Sequence, residues 1–219
     1  MKRLVWLASL CWCLAACSNL QFESVPTGKL EACDQRLVGD WVDVPEPGSK
    51  EKPGIARLTA GCAKIVSLDL QTNEIEEDAM DMQFLRVALG DFLVEAPDPK
   101  TPPSSRPAGY TLVRYEVKAN AVQVWRGDAE LGARLIGEAK MAGLVDRHSR
   151  GEKSGSESLL VHVYGSSVEL DKVLSAHALF TGKPQLTLKR ASAAQSKQLN
   201  KAWEQFQRAQ AKRATSKAR

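Results

Sequence analysis

From Trp41 to Leu188 the chain is cut into short runs in which apolar residues tend to recur at every second position, and turn-forming residues interrupt the runs. A period of two places alternate side chains on opposite faces of an extended strand, so such a run buries one face only by joining a sheet. The clearest case is Tyr110 to Lys118, with Leu112 on one face and Val113, Tyr115 and Val117 on the other, turning at Ala119-Asn120 into Ala121 to Trp125. That pattern predicts a hairpin. Trp41 to Val44, Ile55 to Leu58, Ala63 to Leu70, Met82 to Val94 broken in two at Gly90-Asp91, Ile136 to Val145, Leu159 to Tyr164 and Gln185 to Leu188 read as further strands. The Ile55 and Ala63 runs form a second hairpin turning at Gly61, with Val66, Leu68 and Leu70 on one face.

Two helices are expected among these strands. Asp128 stands where it can cap a short helix through Leu131 to Leu135. Ser166 and Glu169 have the S-x-x-E spacing that satisfies free amide donors at a helix start, predicting a helix from Val168 to Leu179 with an apolar face of Val168, Leu170, Val173, Leu174, Ala178 and Leu179. The expected fold class is mainly β (α+β): an antiparallel β-barrel or barrel-like sheet with one late packed helix and a C-terminal amphipathic basic helix. With 26% charged and 43% hydrophobic residues the chain is neither collagen-like nor wholly disordered. Beyond the N-terminus it has no apolar run of about 18 residues, which excludes a polytopic membrane protein.

The first 16 residues begin with Lys2 and Arg3 and continue through an apolar stretch, Leu4 to Leu14, that reads as a secretory signal. The next residues, Leu14-Ala15-Ala16-Cys17, resemble the lipobox of bacterial lipoproteins. The resemblance implies cleavage before Cys17, a diacylglyceryl group on its thiol and acylation of the new amino terminus, a palmitate-type anchor. Two or more acyl chains make attachment stable without a transmembrane helix. Ser18 follows in place of the aspartate that favours inner-membrane retention, so the implied address is the outer membrane, on its periplasmic face. Residues 1–16 are then signal, 17–32 the lipidated cysteine and a polar tether, 33–190 a β-rich domain and 191–219 a basic tail.

In that compartment Cys11 and Cys13 leave with the signal and Cys17 carries lipid, so Cys33 and Cys62 remain as an expected disulfide. No metal, cofactor or redox role is expected of them, because neither lies in a C-x-x-C or near a histidine. The acidic run Glu74, Glu76, Glu77, Asp78 and Asp81 lacks the spacing of a calcium loop and reads as a solvated loop. Pro97, Pro99, Pro102, Pro103 and Pro107 mark a surface segment suited to cleavage or to a partner.

The charge is unevenly distributed. Residues 189–219 carry nine basic side chains and one acid, Glu204, whereas 17–188 carry 19 basic and 25 acidic. Leu199, Ala202, Trp203, Phe206 and Ala209 share one helical face, with Lys197, Lys201, Arg208 and Lys212 around it. Two readings stand: the apolar face docks on the domain, or Trp203 and Phe206 dip into a lipid boundary while the cations meet anionic head groups. Nucleic acid is not an expected partner, since a periplasmic lipoprotein has little access to it.

No H-E-x-x-H, G-x-S-x-G, P-loop or dinucleotide-binding glycine pattern is present, and His148, His162 and His177 are scattered. Ser166 or Ser167 with His162 or His177 is the one conceivable nucleophile and base arrangement, and helix capping accounts for Ser166 more simply. No catalytic residue is therefore assigned. Gly39-Asp40-Trp41 resembles the G-x-W of lipocalin-like barrels, in which the tryptophan plugs one barrel end. The expected function is non-enzymatic: an outer-membrane lipoprotein binding an apolar small molecule or an envelope partner. The alternative is a structural or assembly role in which the basic helix contacts anionic envelope components.

Overall fold

The computed structural model describes residues 18–45, 53–97, 108–149 and 157–217. The signal segment, Cys17 and most of the proline-rich segment lie outside them. The strands are β1 (Ser18–Phe22), β2 (Leu30–Glu31), β3 (Gly39–Asp43), β4 (Ile55–Leu58), β5 (Lys64–Leu68), β6 (Ile75–Ala79), β7 (Met82–Val87), β8 (Gly90–Glu95), β9 (Tyr110–Lys118), β10 (Ala121–Arg126), β11 (Gly143–Ser149), β12 (Glu157–Val163) and β13 (Leu186–Arg190). The helices are α1 (Ala129–Gly137), α2 (Ser167–Ala176) and α3 (Ala193–Lys217). The fold is mainly β, a curled half-barrel sheet with a C-terminal helix.

The strands β3 to β10 run as an antiparallel meander in which each pairs with the next, except β6 and β7. β13 joins the two ends of the meander by pairing with β10 on one side and β3 on the other. At the unpaired seam, β2 covers the outer edge of β7. β9 also pairs with β1, and β1 runs parallel to β12, whose other neighbour is β11.

Strand alternation divides the apolar side chains into separate cores. Trp41 and Leu58 from one limb of the curl meet Phe84, Leu93, Tyr115, Val122 and Val124 from the other, and this cluster is the interior. The intervening residues Leu85, Phe92, Val94, Leu112 and Trp125 point the opposite way, against Leu20, Phe22, Val161 and the apolar sides of α1 and α2. Val42, Ile55, Val66 and Leu68 turn outward from the first limb and are covered by Leu199 of α3. The limb β3–β4–β5 is thus buried on both faces.

Both cap readings match the observed helices. Asp128 accepts from the Leu131 amide, and Ser166 and Glu169 form the reciprocal capping box. Four expectations need correction. The tether expected from Ser18 is instead strand β1, with Leu20 and Phe22 in the core, because its partners come from sequence 88 residues and more away. The acidic run is not a solvated loop: Ile75–Ala79 forms edge strand β6, where Ile75 packs beneath α3 and Glu77 pairs with Lys64 on β5. Ile136 lies in the last turn of helix α1, and the following strand begins only at Gly143 and extends past Val145 to Ser149. Val168 is exposed rather than on the packed face of α2, since it falls in the first turn of a helix that buries Leu170, and the helix ends at Ala176 rather than Leu179, leaving Ala178 exposed beyond it.

Candidate functional site

The end of the interior nearest the β7–β8 turn is closed by the segment between β2 and β3. Arg86 and Tyr115 follow Phe84 and Val113 at even spacing, and Asp91 precedes Leu93, so all three share the interior face. Into them comes Asp34, only 4% exposed. Its carboxylate accepts from the Arg36 guanidinium at 2.6 to 3.0 Å, from the Arg36 amide at 3.0 Å and from the Tyr115 hydroxyl at 2.7 Å. Arg36 also reaches Asp91 at 2.6 Å, and Arg86 lies 3.4 to 3.5 Å from both acids.

These contacts settle the charge states. Burial pushes the Asp34 carboxyl up, but the hydrogen bonds from Arg36 and Tyr115 outweigh it and hold the group at about 2. Burial, reinforced by the adjacent Asp34 carboxylate, pushes the Tyr115 hydroxyl well above its ordinary value, so it stays a proton donor. A buried carboxylate is tolerated here because its lone pairs are satisfied by charged and neutral donors together.

The same segment is held from two further directions. The Cys33–Cys62 disulfide ties it to the 3-10 turn Ala60–Cys62 between β4 and β5. Closing a loop with a separation of 29 residues stabilises by roughly 3 to 4 kcal/mol on the chain-entropy account. At its other end the Trp41 indole N–H donates to the Leu37 carbonyl at 2.7 Å. Arg190 on β13 lies over the Trp41 ring at 3.8 Å and donates to the carbonyls of Arg36 and Val38, both at 2.8 Å. Gly39 makes room for this arm: its φ is +118°, and a Cβ there would lie 2.6 Å from the Arg190 guanidinium. Leu37 and Cys62 sit in the interior core, so the segment fills space under the curl.

The basic helix forms a second element. Gln195 and Ser192 bond each other at its start, an arrangement that caps α3. Leu199 is fully buried, and Ala202 and Trp203 pack beside it on the outer face of β4–β5–β6. The Trp203 indole donates to Glu77 at 3.2 Å, and Arg57, itself bonded to Asp40, lies 5.6 Å above its ring. Lys197, Lys201, Arg208 and Lys212 are exposed and Phe206 is half-buried. The first half of the helix therefore docks on the domain. Every residue from Gln207 to Lys212 is exposed.

Ser166 is occupied as a helix cap, its hydroxyl bonded to Glu169 at 2.8 Å. His162 is buried in β12 at 1% exposure, and its Nδ1 has no hydrogen-bond partner among the described residues. His148 falls in β11, and its side chain lies outside the described residues. Among the described residues no group of three or more His, Cys, Asp or Glu side chains is placed to hold a metal ion, and no helix is long and apolar enough to cross a membrane. Sequence reasoning singled out Cys33, Cys62 and Trp41 but missed Asp34, Arg36, Arg86, Asp91, Tyr115 and Arg190. Only the position of Asp34 beside Cys33 hints at the network. No protein-family model matches the chain, and no curated protein or solved structure matches it.

Proposed function

We propose that this chain is an outer-membrane lipoprotein, anchored through Cys17, that works without catalysis by holding an anionic envelope component on its C-terminal helix. The observation that carries this reading is the division of α3: Leu199 and Trp203 fix its first half to the sheet, while every residue from Gln207 to Lys212 is exposed beyond them, Arg208 lying 3.6 Å from Glu204 one turn back. Docking one half makes the other a positioned cationic arm. Strand β1 begins at the residue after Cys17, so an acylated Cys17 holds the sheet itself against the head groups.

The test is co-sedimentation of the chain carrying Cys17→Ser with phosphatidylglycerol vesicles and with phosphatidylcholine vesicles. Near an anionic surface each cation contributes about 1 kcal/mol, so Arg208→Gln with Lys212→Gln weakens binding roughly thirtyfold at low salt. Equal binding to both vesicle types, or no response to the double substitution, overturns the reading. Fatty-acid labelling that persists in Cys17→Ser overturns the anchor.

A second reading has its own support. The eight-strand meander and the buried Trp41 under Arg190 favour a lipocalin-like binder of an apolar small molecule. Against it, Leu37 and its disulfide-held neighbours fill the interior. Native mass spectrometry of the chain separates the two: a discrete apolar adduct that survives deletion of residues 192–219 supports the binder, and a clean apo mass removes it.

A further inference from the structure

Among the described residues, edge strand β6 pairs only with β5. The Asp69 amide donates to the Glu74 carbonyl and the Met80 amide to the Ala63 carbonyl, which marks a hydrogen-bonded pair at each end of this ladder. Antiparallel pairs alternate, so in this register the backbone groups of Glu76 and Asp78 bond to β5, while those of Ile75, Glu77 and Ala79 point away from the sheet. No partner meets these outward groups among the described residues, which run unbroken from residue 53 to 97 on both sides of the strand. Strand β7 does not close the seam, and its outer edge at Phe84 and Leu85 is given to β2.

Alternation sends the side chains of Ile75 and Glu77 to the α3 face, where Ile75 packs with Leu70 and Trp203, and Glu77 bonds both Lys64 and Trp203. Glu76 and Asp78 lie on the other face, across from Ser67 and Ile65, and among the described residues no cation pairs with either carboxylate. Burial first, and then Asp78, Glu74 and Asp69, push the Glu76 carboxyl above its ordinary value. The edge therefore offers main-chain donors and acceptors beside negative charge that the fold does not neutralise. A second copy of the chain does not fit it. A two-fold axis pairs two such edges antiparallel, outward residues against outward residues. With Glu77 opposite itself, Glu76 meets Asp78, and the adjacent registers set Glu76 or Asp78 against its own counterpart. Like charges directly opposite are destabilising, and charged edges of this kind block self-association.

We infer that the β6 edge accepts an extended segment of another protein that carries basic residues at alternate positions. The segment adds antiparallel. From its N-terminus it places one cation opposite Asp78, a β-branched residue opposite Glu77, a second cation opposite Glu76 and an apolar residue opposite Ile75, where it extends the cluster of Ile75, Leu70 and Trp203. The pairs at Glu76 and Asp78 are the non-hydrogen-bonded ones of the new ladder, in which facing side chains stand closest. Strand addition supplies affinity through the main chain and specificity through alternate side chains. The inference does not rest on the cationic arm of α3 or on an anchor at Cys17.

The experiment titrates the isotope-labelled full chain with the blocked peptide Thr-Lys-Thr-Lys-Val-Thr and follows backbone amide shifts. The expected result is saturable shifts centred on the Ile75, Glu77 and Ala79 amides, and binding about tenfold weaker for Thr-Glu-Thr-Glu-Val-Thr, from the two reversed cross-strand pairs. Methylating the amide of the third peptide residue, which faces Glu77, abolishes binding, whereas methylating that of the fourth, which points away from β6, does not. This comparison leaves the protein unaltered, so it stays decisive if a variant fails to fold. Glu76→Lys with Asp78→Lys inverts the preference between the two peptides. No saturable shift, equal affinity for both peptides, the same response to methylation at the two positions, or an unchanged preference in the charge-swapped chain overturns the inference.

Discussion

Replacing Asp34 by asparagine keeps the shape of the side chain and removes its charge, and the consequence follows from the network around it. The carboxyl falls from 3.8 to about 2 on folding, which corresponds to roughly 2.5 kcal/mol of stability at neutral pH. The side chain is 3% exposed, so solvent screening takes little from that figure. An asparagine oxygen still accepts from Tyr115 or from one arm of Arg36, and Arg36 keeps Asp91, so Asp34→Asn costs about 2 to 3 kcal/mol while Asp34→Ala approaches the 3 to 5 kcal/mol of a broken buried pair. The sign of the pH dependence is set by the depressed value. The contribution is fully present above the unfolded value near 3.8 and is lost as pH falls toward 2. Denaturant unfolding of both proteins from pH 7 to pH 2 should therefore show a gap of about 2.5 kcal/mol that closes to under about 1 kcal/mol. Other carboxylates titrate equally in both proteins and drop out of the difference. A gap that stays constant with pH would refute the assignment of the charge to Asp34, and no gap at pH 7 would refute the network as a source of stability.

Leu199→Ala should destabilise by about 2 to 5 kcal/mol or release α3 outright, seen as loss of amide protection in the first half of the helix while the β3–β10 meander stays protected. Gly39→Ala should cost more than about 1 kcal/mol because its φ is +118° and the new methyl meets Arg190, and the Gly39→Ala, Arg190→Ala pair should be less than additive in unfolding experiments. His162 is held below its ordinary range, chiefly by burial, with Glu23 opposing. Its folded-state value lies below the unfolded one, so the protein loses stability as pH falls through the unfolded value near 6.5 and on through the lower folded one. Measured stability of His162→Leu should lack that decline between pH 7 and pH 5. A parallel decline in both proteins would mean another group is responsible.

Much of the sheet was legible because strand formation at Trp41–Val44, Tyr110–Lys118 or Ala121–Trp125 is written in local alternation. A period of two already separates Leu112 from Tyr115 and Trp41 from Val42 before any partner is known. Caps were legible for a similar reason, since Asp128 and Ser166 act on amides three residues away. Strand β1 was not legible: Ser18 to Phe22 is five residues of ordinary composition, and it becomes a strand through pairing with β12 and β9. Edge strand β6 was hidden by its charge, which an edge exposed to water tolerates and a loop tolerates equally.

The candidate sites divide in the same way. Sequence alone sorted the nine cations of residues 189–219 from the acidic domain and placed Leu199, Trp203 and Phe206 on one helical face, because helical periodicity is a local property. It left open whether that face meets the domain or a lipid surface, and only the outward face of β4 and β5, with Glu77 and Arg57 waiting for Trp203, decided the matter for the first half of the helix. Sequence also isolated Cys33 and Cys62 as a pair. That the pair secures a segment across the sheet interior, with Asp34 bonded to Tyr115 81 positions along the chain, was decided by the curl of the sheet. Its register brings together residues whose separation in sequence carries no periodic signal.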